Sequence, residues 1–172
     1  QRMLALFAVA LRAEMISAGD RVLPLDEVVA RLPAVDGALS PQEQAFFDDA
    51  QPAPQSLANF GWRYESLALL QWALGLAESL PAATAICDVP QAAQRALDFA
   101  QVQPVPRLRP LPELLDAWDA HLRLHWAVRQ ADMDGREPPA GLLPGVVLER
   151  HYALNWLFRF EDAAWDEVDT PT

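Results

Sequence analysis

The side chains with the most chemistry to offer stand in a row, Glu149-Arg150-His151, inside the otherwise apolar stretch GVVLERHYALNWLF of residues 145–158. A second acid and a second arginine, Glu65 and Arg63, interrupt an equally apolar stretch, PQSLANFGWRYESLALLQWALGLAE, residues 54–78. Carboxylates beside a histidine are the groups of general acid/base catalysis, where one takes a proton and another returns it. Glu65, Glu149 and His151 are thus the candidate catalytic set of a hydrolase-like enzyme. The competing reading is structural. Charges on apolar helices must be paired or neutralised, because burying one alone costs several kcal/mol.

Other chemistry is less well supported. His121 and His125 are four residues apart, a spacing that can chelate a metal, with His151 or Glu149 as a third ligand. The glutamate that metalloproteases carry directly after the first histidine is missing. There is no G-x-S-x-G elbow and no Gly-rich phosphate loop, and Cys87 lies in a Pro/Ala-rich connector. No metal and no cofactor is assigned.

The elements that must position these groups read as helices. Fifteen prolines punctuate the chain, almost all outside the apolar periodic runs. Helices are expected near residues 1–18, 24–32, 41–50, 54–78, 90–101, 111–133 and 144–160. Ser40-Pro41-Gln42-Glu43 is a capping box with proline at the first helical position. Alternating strand patterns and hairpin dipeptides are lacking. The expected architecture is all-α, a single-domain orthogonal bundle of about seven helices over residues 1–172, with an acidic tail at 161–172. The Pro-rich pieces QVQPVPRLRPLP and DGREPPAGLLPG read as ordered connectors.

At 100° per residue, Val146, Val147, Leu154, Leu157 and Phe158 share an arc of about 120° on the last helix, with Arg150 in its middle and His151 at its edge. Glu149 points elsewhere, between Trp156 and Phe160. Three consecutive residues span about 200°, so no orientation sends all three to water. On the 54–78 helix Glu65 falls among Trp62, Leu69, Trp72 and Leu76, and Arg63 among Leu67, Leu70 and Leu74, as in the central helix of a bundle. On 111–133, His125 lies between Leu114 and Trp118, as a hydrogen-bonded core histidine would. Arg123 is expected to pair with Asp119 at the surface, and the tryptophans to fill the core rather than cage a ligand. The sharpest expectation is that Glu65 pairs with Arg150, and that Glu149 meets Arg63 or His125; an Arg–carboxylate pair can be bidentate, which fixes the relative rotation of two helices.

Composition narrows the partners. A net charge of −11, from 13 basic and 24 acidic residues, argues against nucleic acid and suits a basic protein partner. Every basic residue is arginine, so Schiff-base chemistry and a P-loop lysine are excluded. The apolar run Met3–Leu11 is too short to span a bilayer, and Arg12 and Glu14 follow it, which reads as an amphipathic or buried first helix of a cytoplasmic protein, not a membrane one. A lone cysteine fits a reducing compartment. FEDAAWDEVDTPT carries five acids after Phe160. It reads as a solvated tail anchored by Trp165, or as a binding strip for a basic partner.

WRYESLALLQWALGL (62–76), LHWAVRQADMDGREPPAGL (124–142) and GVVLERHYALNWLFRFEDAAWDEVDT (145–170), with LALFAVALRAE near the start, resemble the bacterial domain-of-unknown-function family numbered 4272. The resemblance covers most of the chain. It implies recurring positions at Trp62, Arg63, Glu65, His125, Trp126, Glu149, Arg150, His151, Asn155 and Trp156, without His121, and it carries no activity. The expected polar network is therefore Arg63, Glu65, His125, Glu149, Arg150, His151 and Asn155. The leading expectation is a non-catalytic protein-binding or regulatory module, of which an immunity-like protein is one version, with the acid/base enzyme as the alternative and the oligomeric state left open.

Overall fold

A computed structural model describes residues 1–102 and 105–172, and among them there are helices and no strands. In order they are α1 (Arg2–Ala18), α2 (Leu25–Arg31), α3 (Pro41–Asp48), α4 (Pro54–Gly61), α5 (Arg63–Ala73), α6 (Val89–Val102), α7 (Leu111–Met133) and α8 (Pro144–Leu157), with four short 3-10 turns between and after them. The all-α class is as expected. So are most helix starts, since proline in the first turn lacks the N–H that would have no partner there. The capping box at Ser40 forms reciprocally, with the Ser40 side chain bonded to the Glu43 amide and the Glu43 side chain to the Ser40 amide.

The expected 54–78 helix is divided at Trp62 into α4 and α5, so the seven helical stretches contain eight α-helices. Trp62 keeps helical dihedrals at this junction, and its ring lies on the first turn of α8, where a Cβ at Gly145 would come within 2.8 Å of it. Only glycine admits that approach. The same stretch also stops at Ala73 rather than at 78, because Gly75 turns into the left-handed region and Leu76 bonds back to the Gln71 carbonyl at 2.8 Å. Arg109, far along the chain, completes this end. It donates through Nε to the Trp72 carbonyl at 2.8 Å and through Nη2 to Ala77 and Glu78 at 2.8 and 2.7 Å. The cation thereby satisfies helix-end carbonyls where the dipole favours it.

α1 is the most thoroughly buried helix, with Met3 through Ala10 all inside. It packs on α4 and α5, α5 packs on α8, and α8 on α7. One large apolar core joins α1, α5, α6 and α8, while smaller clusters lie under α7 around Val128, Val146 and Val147, and around Trp72, Ala73, Ala77 and Leu114. No described helix is long and apolar enough to cross a membrane.

Residues 160–169 fold back along the bundle. Trp165 is buried, with its carbonyl accepting from the Tyr152 hydroxyl, and the Asp166 carboxylate accepts from the Gln42 amide at 2.9 Å. Two tryptophans depart from the expected core. Trp126 is 57% exposed because α7 turns only the Leu114–His121–His125–Val128 side inward, and Trp62, between α4 and α5, is 37% exposed. In the connector read at 101–112, Gln103 and Pro104 lie outside the described residues.

Candidate functional site

The misplaced charges meet along the α5–α8–α7 seam. Glu65 enters from the first turn of α5, where the helix dipole favours an acid. Arg150 enters from the middle of α8. The two side chains are 2% and 1% exposed. Arg150 Nε donates to Glu65 Oε2 at 3.0 Å, and Nη2 lies 2.9 Å from the same oxygen without an aligned hydrogen bond. Both nitrogens thus face a single oxygen, and the pair is not a two-oxygen fork. The reason is competition: Glu65 Oε1 is taken by the Cys87 amide, which donates at 2.5 Å. Arg150 Nη1 donates to the Pro81 carbonyl at 2.6 Å. One ion pair thus ties α5, α8 and the connector 81–87 together.

A second pair lies beside it. Arg63 Nη1 donates to both oxygens of Glu149, at 3.3 and 3.1 Å, and the Ser66 hydroxyl reaches Glu149 Oε2 at 2.8 Å. Of the two partners considered for Glu149, the geometry selects Arg63. The Arg63 guanidinium lies over Tyr152 and Trp165, 4.8 and 5.3 Å from their ring centres. Burial pushes the Glu149 carboxyl above its usual range against the opposing pull of Arg63 and Ser66.

The histidines form the α7 side. His125 Nδ1 and His151 Nδ1 are 3.0 Å apart, so one must carry the proton and the other accept it. Burial, then the neighbouring His125 and His121, hold His151 down at about 4. His125 is lowered by burial and then by Arg129. His121 Nδ1 donates to the Ala117 carbonyl at 2.7 Å, and burial lowers its pKa as well. Among the described residues, no cluster of three or more His, Cys, Asp or Glu side chains could hold a metal ion. Asn155 closes the seam, accepting from Trp118 Nε1 at 2.6 Å and donating to the Asp169 carbonyl at 2.7 Å.

Seven sequence-chosen residues therefore fall into three adjoining pairings and one bridge, on facing sides of three helices. As an active site the arrangement has little to offer. Both Glu65 oxygens are occupied by donors, His151 is 1% exposed and faces another histidine, and Glu149 is held by two partners. Four surface clefts, of about 600, 360, 310 and 240 Å³, open on other residues, and Glu65, Glu149 and His151 line none of these four. Arg63 alone of the network borders one, with Asn59, Ser56 and Asp49. Cys87 borders another, but burial and the Glu65 carboxylate push its thiol up to about 12, which keeps it protonated and unreactive. Asp119 and Arg123 pair at the surface, 2.8 Å apart.

Three polar anchors escaped the sequence reading. Glu43, 1% exposed, accepts from Arg2 Nη2 at 2.6 and 2.5 Å. The capping box marked Glu43 as structural, but nothing local pointed to Arg2. Gln71, fully buried, donates to the Ala92 carbonyl at 2.7 Å and holds α6 against α5. Arg109, described above, gave no signal beyond being a basic residue among prolines.

A family model described as a domain of unknown function, DUF4272, matches residues 1–168. No curated protein and no solved structure matches the chain.

Proposed function

Starting from a chain that belongs to the DUF4272 family, we propose that it works as a non-catalytic protein-binding or regulatory module that takes a basic partner. The observation that carries this reading is the occupancy of its ionisable groups. Each candidate acid or base inside the bundle already serves another protein group, whereas a general acid or base needs a free position for the substrate's proton. Other acids are on the outside, and of these Asp162 pairs with Arg159. Glu161, Asp162, Glu167 and Asp169 are exposed on the C-terminal strap, which Trp165 and Asn155 fasten to the body. A fixed acidic surface on a chain of net charge −11 attracts and orients a basic protein surface.

The test compares proteins cross-linked to the parent chain in its native cells with those cross-linked to a variant carrying Glu161→Lys, Asp162→Lys, Glu167→Lys and Asp169→Lys. A basic protein captured by the parent, lost by the variant and released by raised salt is the expected result. The proposal fails if the purified chain hydrolyses an ester, amide or phosphoester substrate and Glu65→Gln or His151→Asn abolishes that activity while leaving the fold intact.

A further inference from the structure

The long helix α7 has two apolar faces, and the fold uses only one. Leu114, His121, His125, Val128 and Ala131 are buried. Leu111, Leu115, Leu122, Trp126 and Met133 are 59, 40, 41, 57 and 77% exposed. At 100° per residue these five share an arc of about 60°, a stripe running about 33 Å along the helix. It continues onto α8. The His125–His151 and Trp118–Asn155 contacts set the two helices antiparallel, which brings Leu148, 41% exposed, level with Trp126. A contiguous apolar strip of this kind on an acidic protein marks an interface.

The charges along its edge identify the occupant. Asp119 and Arg123 lie on one flank of the stripe, on either side of Leu122, and are 59% and 77% exposed. On the wheel Arg129 falls within the stripe itself, and over its whole length the helix carries four acids, Glu113, Asp116, Asp119 and Asp132, against two arginines. Beside Leu122 itself the flank is neutral, one acid and one arginine, so it calls for a partner that carries both. A second copy meets its complement. A twofold axis passing close to Leu122 sets the helices antiparallel, places Leu122 against its own image and Leu111 towards Met133 of the second copy. It also brings Asp119 of each copy to Arg123 of the other, on the same flank. The existing Asp119–Arg123 bridge within one chain, 2.8 Å, can be exchanged for the two between chains with little loss, since exposed pairs of this type are weak.

We infer that the exposed stripe of α7 is a self-complementary surface through which two copies of this chain pair antiparallel about Leu122. The inference is separate from the basic-partner reading, because the four-lysine strap variant should pair as the parent does.

Sedimentation velocity of the full chain from about 1 to 200 μM tests it. A monomer–dimer equilibrium is expected, weakened at least tenfold by Leu122→Asp and by Asp119→Arg, and restored by combining Asp119→Arg with Arg123→Asp. Circular dichroism melts of the same samples should superpose, since the altered side chains are exposed. If Leu122→Asp does unfold the chain, Trp126→Ser supplies the same readout from the same stripe. A monomer at every concentration overturns the inference. So does a dimer that a folded stripe variant leaves unchanged, or one that the charge swap fails to restore.

Discussion

Replacing Glu65 with glutamine keeps the shape of the side chain and removes one acceptor from a place that needs two. Glu65 Oε2 receives Arg150 and Oε1 receives the Cys87 amide, all out of water. A glutamine has one oxygen, so its NH2 must confront either a guanidinium or an amide N–H, donor against donor. Arg150, 1% exposed, would keep only the Pro81 carbonyl as a hydrogen-bond acceptor. Breaking a buried pair by removing one partner typically costs 3–5 kcal/mol, and the retained acceptor places Glu65→Gln near the lower end, about 3 kcal/mol. For a chain of this length that is a fall of about 6–12 °C in Tm. Urea denaturation followed by far-ultraviolet circular dichroism gives the free energy directly, and the denaturant slope shows whether the unfolded state has changed. Arg150→Met should be costly alone, and the double variant should lose clearly less than the sum of the two, because each single change strands the other group. A loss below about 1 kcal/mol for Glu65→Gln, or strict additivity in the double variant, would refute the view that this pair clamps α5 to α8.

Further outcomes follow from the same seam. The His151 pKa is depressed in the folded state to about 4 from an ordinary 6.5, so the unfolded chain binds the proton first. Stability should be fully present above pH 6.5, decline as pH falls towards 4, and level off below. After allowance for solvent screening this amounts to about 2 kcal/mol, with Glu149, whose pKa is raised, opposing part of it; urea midpoints measured across that range should lose much of their slope in His151→Asn. The Cys87 thiol, pushed up to about 12, should react with a disulfide reagent at pH 8 far more slowly in the folded protein than in urea. Equal rates would show that the connector 81–87 opens freely. Gly145→Ala should cost about 1–3 kcal/mol through the collision with the Trp62 ring, and adding Trp62→Leu should relieve most of it in the same denaturation assay.

What the sequence determines by itself is local. Proline positions, the capping box at Ser40 and the 3.6-residue periodicity depend on groups within a turn of one another, and they suffice for an all-α chain and for most helix starts. The same periodicity shows that Glu65 and Arg150 stand on apolar faces, and their opposite charges suggest a pairing across the 85 positions that separate them. Tertiary structure decides how each remaining valence is filled. The Cys87 amide takes one Glu65 oxygen and leaves the other to Arg150, Arg63 rather than His125 takes Glu149, and one imidazole hydrogen-bonds another. It also decides which apolar face is used: Trp126 on α7 reads as core on a wheel, but a helix with two apolar stripes can bury only the one its neighbours reach. Periodicity fixes a residue's direction relative to its own axis. The rotation of that axis towards the rest of the bundle depends on contacts distant in the chain, such as Trp62 on Gly145 or Arg109 on the end of α5.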